Sequence, residues 1–221
     1  MLVTFLRHGQ SEHNAGLTAF LDSSLTHLGE QQAAATALRL KSEDFNSDNT
    51  LAFVSPLTRT LQTLLPIAEK LHLHSEVFTE VCEYFSVRND GYKTFVGLSP
   101  TQISERFAYV TLGSRFTCDE VWWPQKQEDY IDLYERSSRV RDHLIHDYFD
   151  SGKQLLIVSH ADPIGRMIES FLHIEPNFDG PPWSANCGIT KLLVSSIIKP
   201  AEVIVLNDIS HLTALSLETQ E

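Results

Sequence analysis

Cysteine is scarce in this chain: Cys82, Cys118 and Cys187 are the only three among 221 residues. An odd number of widely spaced cysteines is no disulfide framework. It points to a reducing compartment and to thiols buried as small apolar groups. Long apolar runs are missing too. No stretch of 18 apolar residues occurs, which excludes a membrane-spanning helix. The opening MLVTFLRHG is too short an apolar run for a signal peptide and lacks a basic start. A cytoplasmic protein is expected. Positive charge is in deficit, with 17 Lys and Arg against 29 Asp and Glu and a formal net charge of −12. That field opposes nucleic acid and anionic membrane, so neither is expected as a partner. A small anion needs a local cluster of arginine and histidine working against the overall sign. Internal repeats and low-complexity linkers are also absent, so residues 1–221 read as a single domain.

What is present is an ordinary globular balance, 42% apolar and 21% charged. At this length one core buries roughly 70% of the unfolded surface, so no disulfide or metal is needed to hold the fold. The chain alternates short apolar runs with helical patterns. Residues 2–6 (LVTFL), 51–54 (LAFV) and 154–158 (QLLIV) read as strands, the last most clearly. Residues 25–41 are rich in Ala, Leu and Gln and read as a helix. Leu57, Leu61, Leu64, Leu65, Ala68 and Leu71 form one helical face, in which Pro66 is expected to kink or split the helix. A long helix is predicted over about 127–149 and another over 164–172, with two closing strands at 189–196 and 202–207. Residues 82–126 are irregular and read as an inserted lid with a short helix near SPTQISERF. The alternation predicts an α/β fold, a three-layer α/β/α sandwich on a mostly parallel central sheet.

Three predicted strands end in polar groups of one chemical kind. LVTFL runs into Arg7-His8, LAFV into SPLTRT with Arg59 one turn into the next helix, and QLLIV into Ser159-His160. Ligands of open α/β sheets bind outside the carboxyl ends of the strands. If the three strands are neighbours, two guanidinium forks and two imidazoles converge on one spot, where helix N-termini add backbone donors. That set suits a phosphoryl group. Arginine grips it bidentately and permanently, one neutral histidine attacks phosphorus, and the second donates to the oxygens as charge shifts. Singly, each motif has a bland reading: a surface ion pair, a turn cap, a solvated helical arginine.

Together, LRHGQSEHN, LTHLGEQQA, SPLTRTLQT, SHADPIGRM and the closing LNDISHL resemble the histidine phosphatase superfamily, the phosphoglycerate mutase-like fold, over residues 2 to about 212. The resemblance implies that His8 is the phospho-accepting nucleophile and that Arg7, Arg59 and His160 complete the phosphate pocket. Asn14 matches a phosphate-contacting asparagine of the family, and Ala161 stands where many members have glycine and offers its backbone N–H. It also implies an acid that protonates the leaving oxygen; Glu80 in FTEVCEYF matches its position best, with Glu83 the alternative. A small phosphorylated substrate is expected, and the pocket needs no metal or other cofactor because arginine supplies the positive charge. The seven residues between Asn14 and Asp22, and the missing mutase pattern near Glu80, favour a phosphatase over a mutase.

Other signals are weaker. Arg88, Lys93, Arg106 and Arg115 of the expected lid could grip a second anionic group, but read more simply as surface pairs. Trp122 and Trp123 read as packing residues. His143 with His146, and His72 with His74, are too few for a metal site and read as solvated; a zinc site on His8 and His160 lacks a carboxylate at ligand spacing. The sequence leaves the physiological substrate and the oligomeric state open.

Overall fold

The computed structural model describes residues 1–85, 95–113, 122–123, 127–176 and 184–219. Its centre is a seven-stranded sheet. In chain order the strands are β1 (Leu2–Arg7), β2 (Thr50–Val54), β3 (Ser75–Val77), β4 (Val110–Leu112), β5 (Gln154–Ser159), β6 (Ile189–Leu193) and β7 (Glu202–Asp208). In space the order is β4-β3-β2-β5-β1-β6-β7. The first five in that order are parallel; β6 runs antiparallel to β1, and β7 antiparallel to β6.

Side-chain alternation along the strands builds two cores. Leu6, Ala52, Val54, Leu156 and Val158 face one way, onto α1 (His27–Ser42) and α2 (Thr58–Leu71). Val3, Phe5, Phe53, Leu155 and Ile157 face the other way, onto α4 (Tyr130–Tyr148) and α5 (Ala161–Phe171). Strands covered on both faces read as continuous apolar runs, which is why LVTFL, LAFV and QLLIV were recognisable. Two short helices, α3 (Pro100–Arg106) and α6 (Ser210–Thr213), complete the fold. The architecture is the expected three-layer α/β/α sandwich.

The structure departs from expectation at four places. α2 is one uninterrupted helix with Pro66 inside it. One missing backbone donor is outweighed by the buried face of Leu61, Leu64, Ile67, Ala68 and Leu71. β3 and β4 were not foreseen, because three-residue strands carry too little pattern. Within the expected lid at 82–126, α3 is the short helix expected near SPTQISERF, while β4 extends the sheet. His143, expected to be solvated, packs edge-on against Phe78 with ring centroids 5.4 Å apart and lies 3.2 Å from Asp147. Trp122 and Trp123 do pack, with Phe85, Phe95 and Leu57, and Trp122 Nε1 donates to the Leu98 carbonyl. Arg88, Lys93, Arg115 and Cys118 lie outside the described residues.

Candidate active site

The order β2-β5-β1 places the three polar strand ends side by side, with Arg7 opposite Ser159 and Val54 opposite Val158. The ladder continues past the strands: His8 N–H donates to the Ser159 carbonyl and Ser55 N–H to the Val158 carbonyl. His8 and His160 are thereby brought to a ring separation of 5.1 Å, both fully shielded from solvent. Arg59, in the first turn of α2, reaches the same place. α5 starts directly after His160, so the N–H of Ala161 has no acceptor within its helix and points out of the helix start.

Close backbone packing fixes the turn after β1. A Cβ on Gly9 would lie 2.5 Å from the Gly29 carbonyl oxygen, and one on Gly29 would lie 2.1 Å from that of Gln10. Two glycines from different elements let this loop lie against the start of α1. Gly9 N–H donates to Thr63 Oγ1, which itself donates to the Arg59 carbonyl. The glycine of RHG is a packing requirement, and it sets where His8 points.

The tautomer of His8 is decided by two partners. Nδ1 lies 2.7 Å from the Gly9 carbonyl, which can only accept, so Nδ1 carries the proton. Arg59 Nε–H donates to Nε2 at 3.1 Å, which requires a lone pair there. Burial, then Arg59 and Arg7, hold His8 well below the usual histidine range. The ring is a neutral imidazole whose Nε2 lone pair lies at the Arg59 guanidinium.

His160 bonds Ser55 Oγ through Nε2 at 2.8 Å. With the Ser55 hydroxyl donating, the His160 proton sits on Nδ1, a buried nitrogen without a hydrogen-bond partner. Burial, followed by Arg59, His8 and Arg7, keeps this ring neutral as well. That arrangement makes stability depend on pH. Between the lowered folded pKa and the ordinary 6.5, the unfolded chain takes up a proton that folded His160 refuses, so stability falls with acidification below 6.5. A His160→Asn variant lacks this contribution, and its Tm deficit relative to wild type should shrink as pH is lowered from about 7 to about 5. Parallel Tm curves would show that His160 is not held neutral.

Glu83 is the carboxylate at the two imidazoles. Its Oε2 lies 3.1 Å from Arg59 Nη2 and 3.4 Å from His160 Nδ1, while Oε1 accepts from the Tyr84 N–H. One ring nitrogen of His8, one of His160 and a Glu83 oxygen lie within 4.8 Å of one another, and Glu80 is not part of that group. The Glu80 carboxylate instead lies 4.0 Å from Arg139. Of the two candidates drawn from sequence, the structure brings Glu83, the alternative, to the imidazoles. A three-residue difference straddles the end of a 3-10 turn at Thr79–Val81, and the turn sends Glu83 inward.

Asn14 and Arg7 sit beside this centre. Asn14 Oδ1 accepts from the Ser11 N–H and from Asn186 Nδ2, which leaves its amide nitrogen as the donor end. Asn186, buried, also donates to the His8 carbonyl, and Arg7 Nη1 donates to the Ser184 carbonyl. Asn186, Ser55 and Asp162 were not singled out from the sequence. Burial, and after it the charge of Glu83, pushes Asp162 up to about 6. Asp22 takes the Thr58 N–H and hydroxyl, capping α2 from a distant loop.

The carboxylate that a zinc site on His8 and His160 lacked in sequence is therefore present in space. The donor set still suits an anion better. Arg59 covers both His8 Nε2 and Glu83, and Arg7 adds a second fixed positive charge, both of which repel a dication.

Residues 3–197 match the family model described as histidine phosphatase superfamily (branch 1). The chain belongs to that superfamily. Among its curated relatives is a 2,3-bisphosphoglycerate-dependent phosphoglycerate mutase of Neisseria gonorrhoeae, 26% identical over 201 residues, covering 79% of this chain and 85% of the relative. Solved structures of the same fold include a mycobacterial glucosyl-3-phosphoglycerate phosphatase complexed with VO3. It has a TM-score of 0.66 at 23% identity, covering 93% of this chain and 98% of that one. A phosphoserine phosphatase of Entamoeba histolytica in complex with 3-phosphoglyceric acid gives 0.65 at 19%, covering 96% and 98%. Membership places the chain among enzymes of the phosphoglycerate mutase-like family. No helix among the described residues is long and apolar enough to cross a membrane.

Proposed function

We propose that this chain is a phosphomonoester hydrolase that acts on a small phosphorylated metabolite through a phosphohistidine at His8. The observation that carries this reading is the pairing of a neutral His8, its Nε2 lone pair held by Arg59, with a buried His160 Nδ1 that has no hydrogen bond, the Glu83 carboxylate standing 3.4 Å from it. A buried polar atom left without a partner is costly, and a phosphoryl oxygen is the partner it lacks. In this scheme Arg59 exchanges His8 Nε2 for phosphate oxygens as substrate enters. Arg7, Asn14 and the Ala161 N–H hold the other oxygens, and His160 donates to the oxygen that gains charge in transfer. His8 Nε2 forms a bond to phosphorus as the bond to the leaving oxygen breaks. Glu83 gives that oxygen a proton, then takes one from the water that attacks phosphohistidine.

Hydrolysis is favoured over mutase chemistry by the loop between Asn14 and Asp22. It is short, and it is pinned by Asp22 to Thr58 and by the Leu21 carbonyl to Arg59 Nη1, leaving little chain there to enclose a phosphoenzyme. The mutase relatives keep phosphoglycerate isomerisation as the second reading. The unpaired, buried Cys82 and Cys187, the former pushed up to about 11 by burial, fit a cytoplasmic protein. The test is hydrolysis of p-nitrophenyl phosphate with a metal chelator present, together with labelling from 32P-phosphorylated substrate stopped in alkaline detergent, the labelled chain then being exposed to acid or to alkali. Turnover undiminished by chelator is expected, with label released by acid as from phosphohistidine. Turnover that needs added metal would overturn the reading. A phosphoglycerate assay separates the mutase.

A further inference from the structure

The segment that carries Glu83 has almost no regular structure, yet its carbonyls are held one after another. Arg136, buried on α4, spends three of the five donors of its guanidinium there. Nη1 donates to the Glu80 carbonyl at 2.7 Å and to that of Cys82 at 2.9 Å, and Nη2 donates to that of Glu83 at 3.3 Å. The remaining donors pair bidentately with Glu128, Nε to Oε1 at 2.7 Å and Nη2 to Oε2 at 2.8 Å. Ser159 Oγ takes the one carbonyl in between, that of Val81, at 2.7 Å. Glu128 is itself anchored by its N–H on the Phe85 carbonyl. Four successive carbonyls, 80 to 83, are thus fixed by one arginine and by the residue next to His160.

We infer that Arg136, with Glu128 as its counter-charge, is a positioning residue for the Glu83 carboxyl. The inference deepens the hydrolase reading and rests on Glu83 being its acid. The physical reason is geometric. A glutamate has three rotatable side-chain bonds, and proton transfer needs its oxygen held within hydrogen-bond reach of the leaving atom. Fixing the backbone on both sides of Glu83 and tying Oε1 to the Tyr84 N–H leaves Oε2 facing His160 and Arg59. The guanidinium fork is what makes this work: a lysine ammonium has three donors and no planar pair, so it cannot hold three carbonyls and a bidentate carboxylate together. The bonds of Arg136 go to backbone carbonyls and Glu128, and any effect on chemistry passes through Glu83.

The experiment compares p-nitrophenyl phosphate with phenyl phosphate, nearly the same shape with a poorer leaving group. Wild type, Arg136→Lys, Glu83→Gln and the double variant are measured, with inorganic phosphate binding as a separate readout. Arg136→Lys should lower kcat/KM on phenyl phosphate about tenfold or more and on p-nitrophenyl phosphate less than about threefold, with phosphate affinity within about twofold of wild type. The double variant should be no slower on phenyl phosphate than Glu83→Gln alone, because the arginine acts through that carboxyl. Equal losses on both substrates with weakened phosphate binding, or losses that multiply in the double variant, would reduce Arg136 to a structural staple. Should Arg136→Lys not fold, Glu128→Gln carries the same test with a smaller effect of the same selectivity; an unselective effect there refutes the inference. Wild-type turnover with an unselective Arg136→Lys sinks only the positioning role. No wild-type turnover on either ester sinks the hydrolase reading and this inference with it.

Discussion

Replacing His8 by alanine should reduce turnover by at least about a thousandfold and abolish acid-labile labelling of the chain. The expectation follows from the geometry of one ring. The Gly9 carbonyl fixes the proton on Nδ1, and Arg59 Nε–H confirms a lone pair on Nε2. Burial and two guanidiniums keep that lone pair unprotonated. No other nucleophile of the described site combines these properties: Cys82 and Cys187 are buried thiols with raised pKa values, and His160 engages Ser55 through Nε2. Folding should be preserved, which near-ultraviolet circular dichroism can check. Turnover within about tenfold of wild type would remove His8 from the nucleophile's role. Loss of turnover with label retained would move the phosphoryl group to another residue.

Glu83→Gln should lower kcat/KM about a hundredfold on phenyl phosphate and much less on p-nitrophenyl phosphate, because in the first step only the poor leaving group needs a proton to depart. Glu80→Gln should change both by less than about threefold. The contrast is decisive, since the two residues were rivals on sequence and only their placement separates them. Glu83 Oε2 lies at His160 and Arg59, whereas the Glu80 carboxylate lies at Arg139. A selective loss in Glu80→Gln instead of Glu83→Gln would return the acid's role to Glu80. Glutamine keeps the size of the side chain and its contact with the Tyr84 N–H through its carbonyl oxygen, so the comparison isolates the proton.

The two imidazoles, the two arginines and Asn14 were legible because each lies beside a recognisable element or inside a short motif. β1, β2 and β5 are buried on both faces, so their apolar runs stand out and their ends can be placed to within one residue. Ser55 and Asn186 were not legible. A serine before a proline and an asparagine in an irregular segment carry no local signal, and their meaning lies in bonds to His160 and His8, 105 and 178 residues away. The short strands β3 and β4 were missed for a related reason: three residues cannot show a period of two.

Sequence alone determined the α/β alternation, the polar groups at the three strand ends and the family resemblance. Those depend on local composition and on spacing along the chain, which periodicity and motif record directly. Tertiary structure decided which carboxylate meets the imidazoles, how each histidine is protonated, and that Arg136 ties the Glu83 segment to α4. Those depend on the direction in which a short turn sends a side chain and on desolvation by residues distant in sequence. A linear reading holds neither quantity.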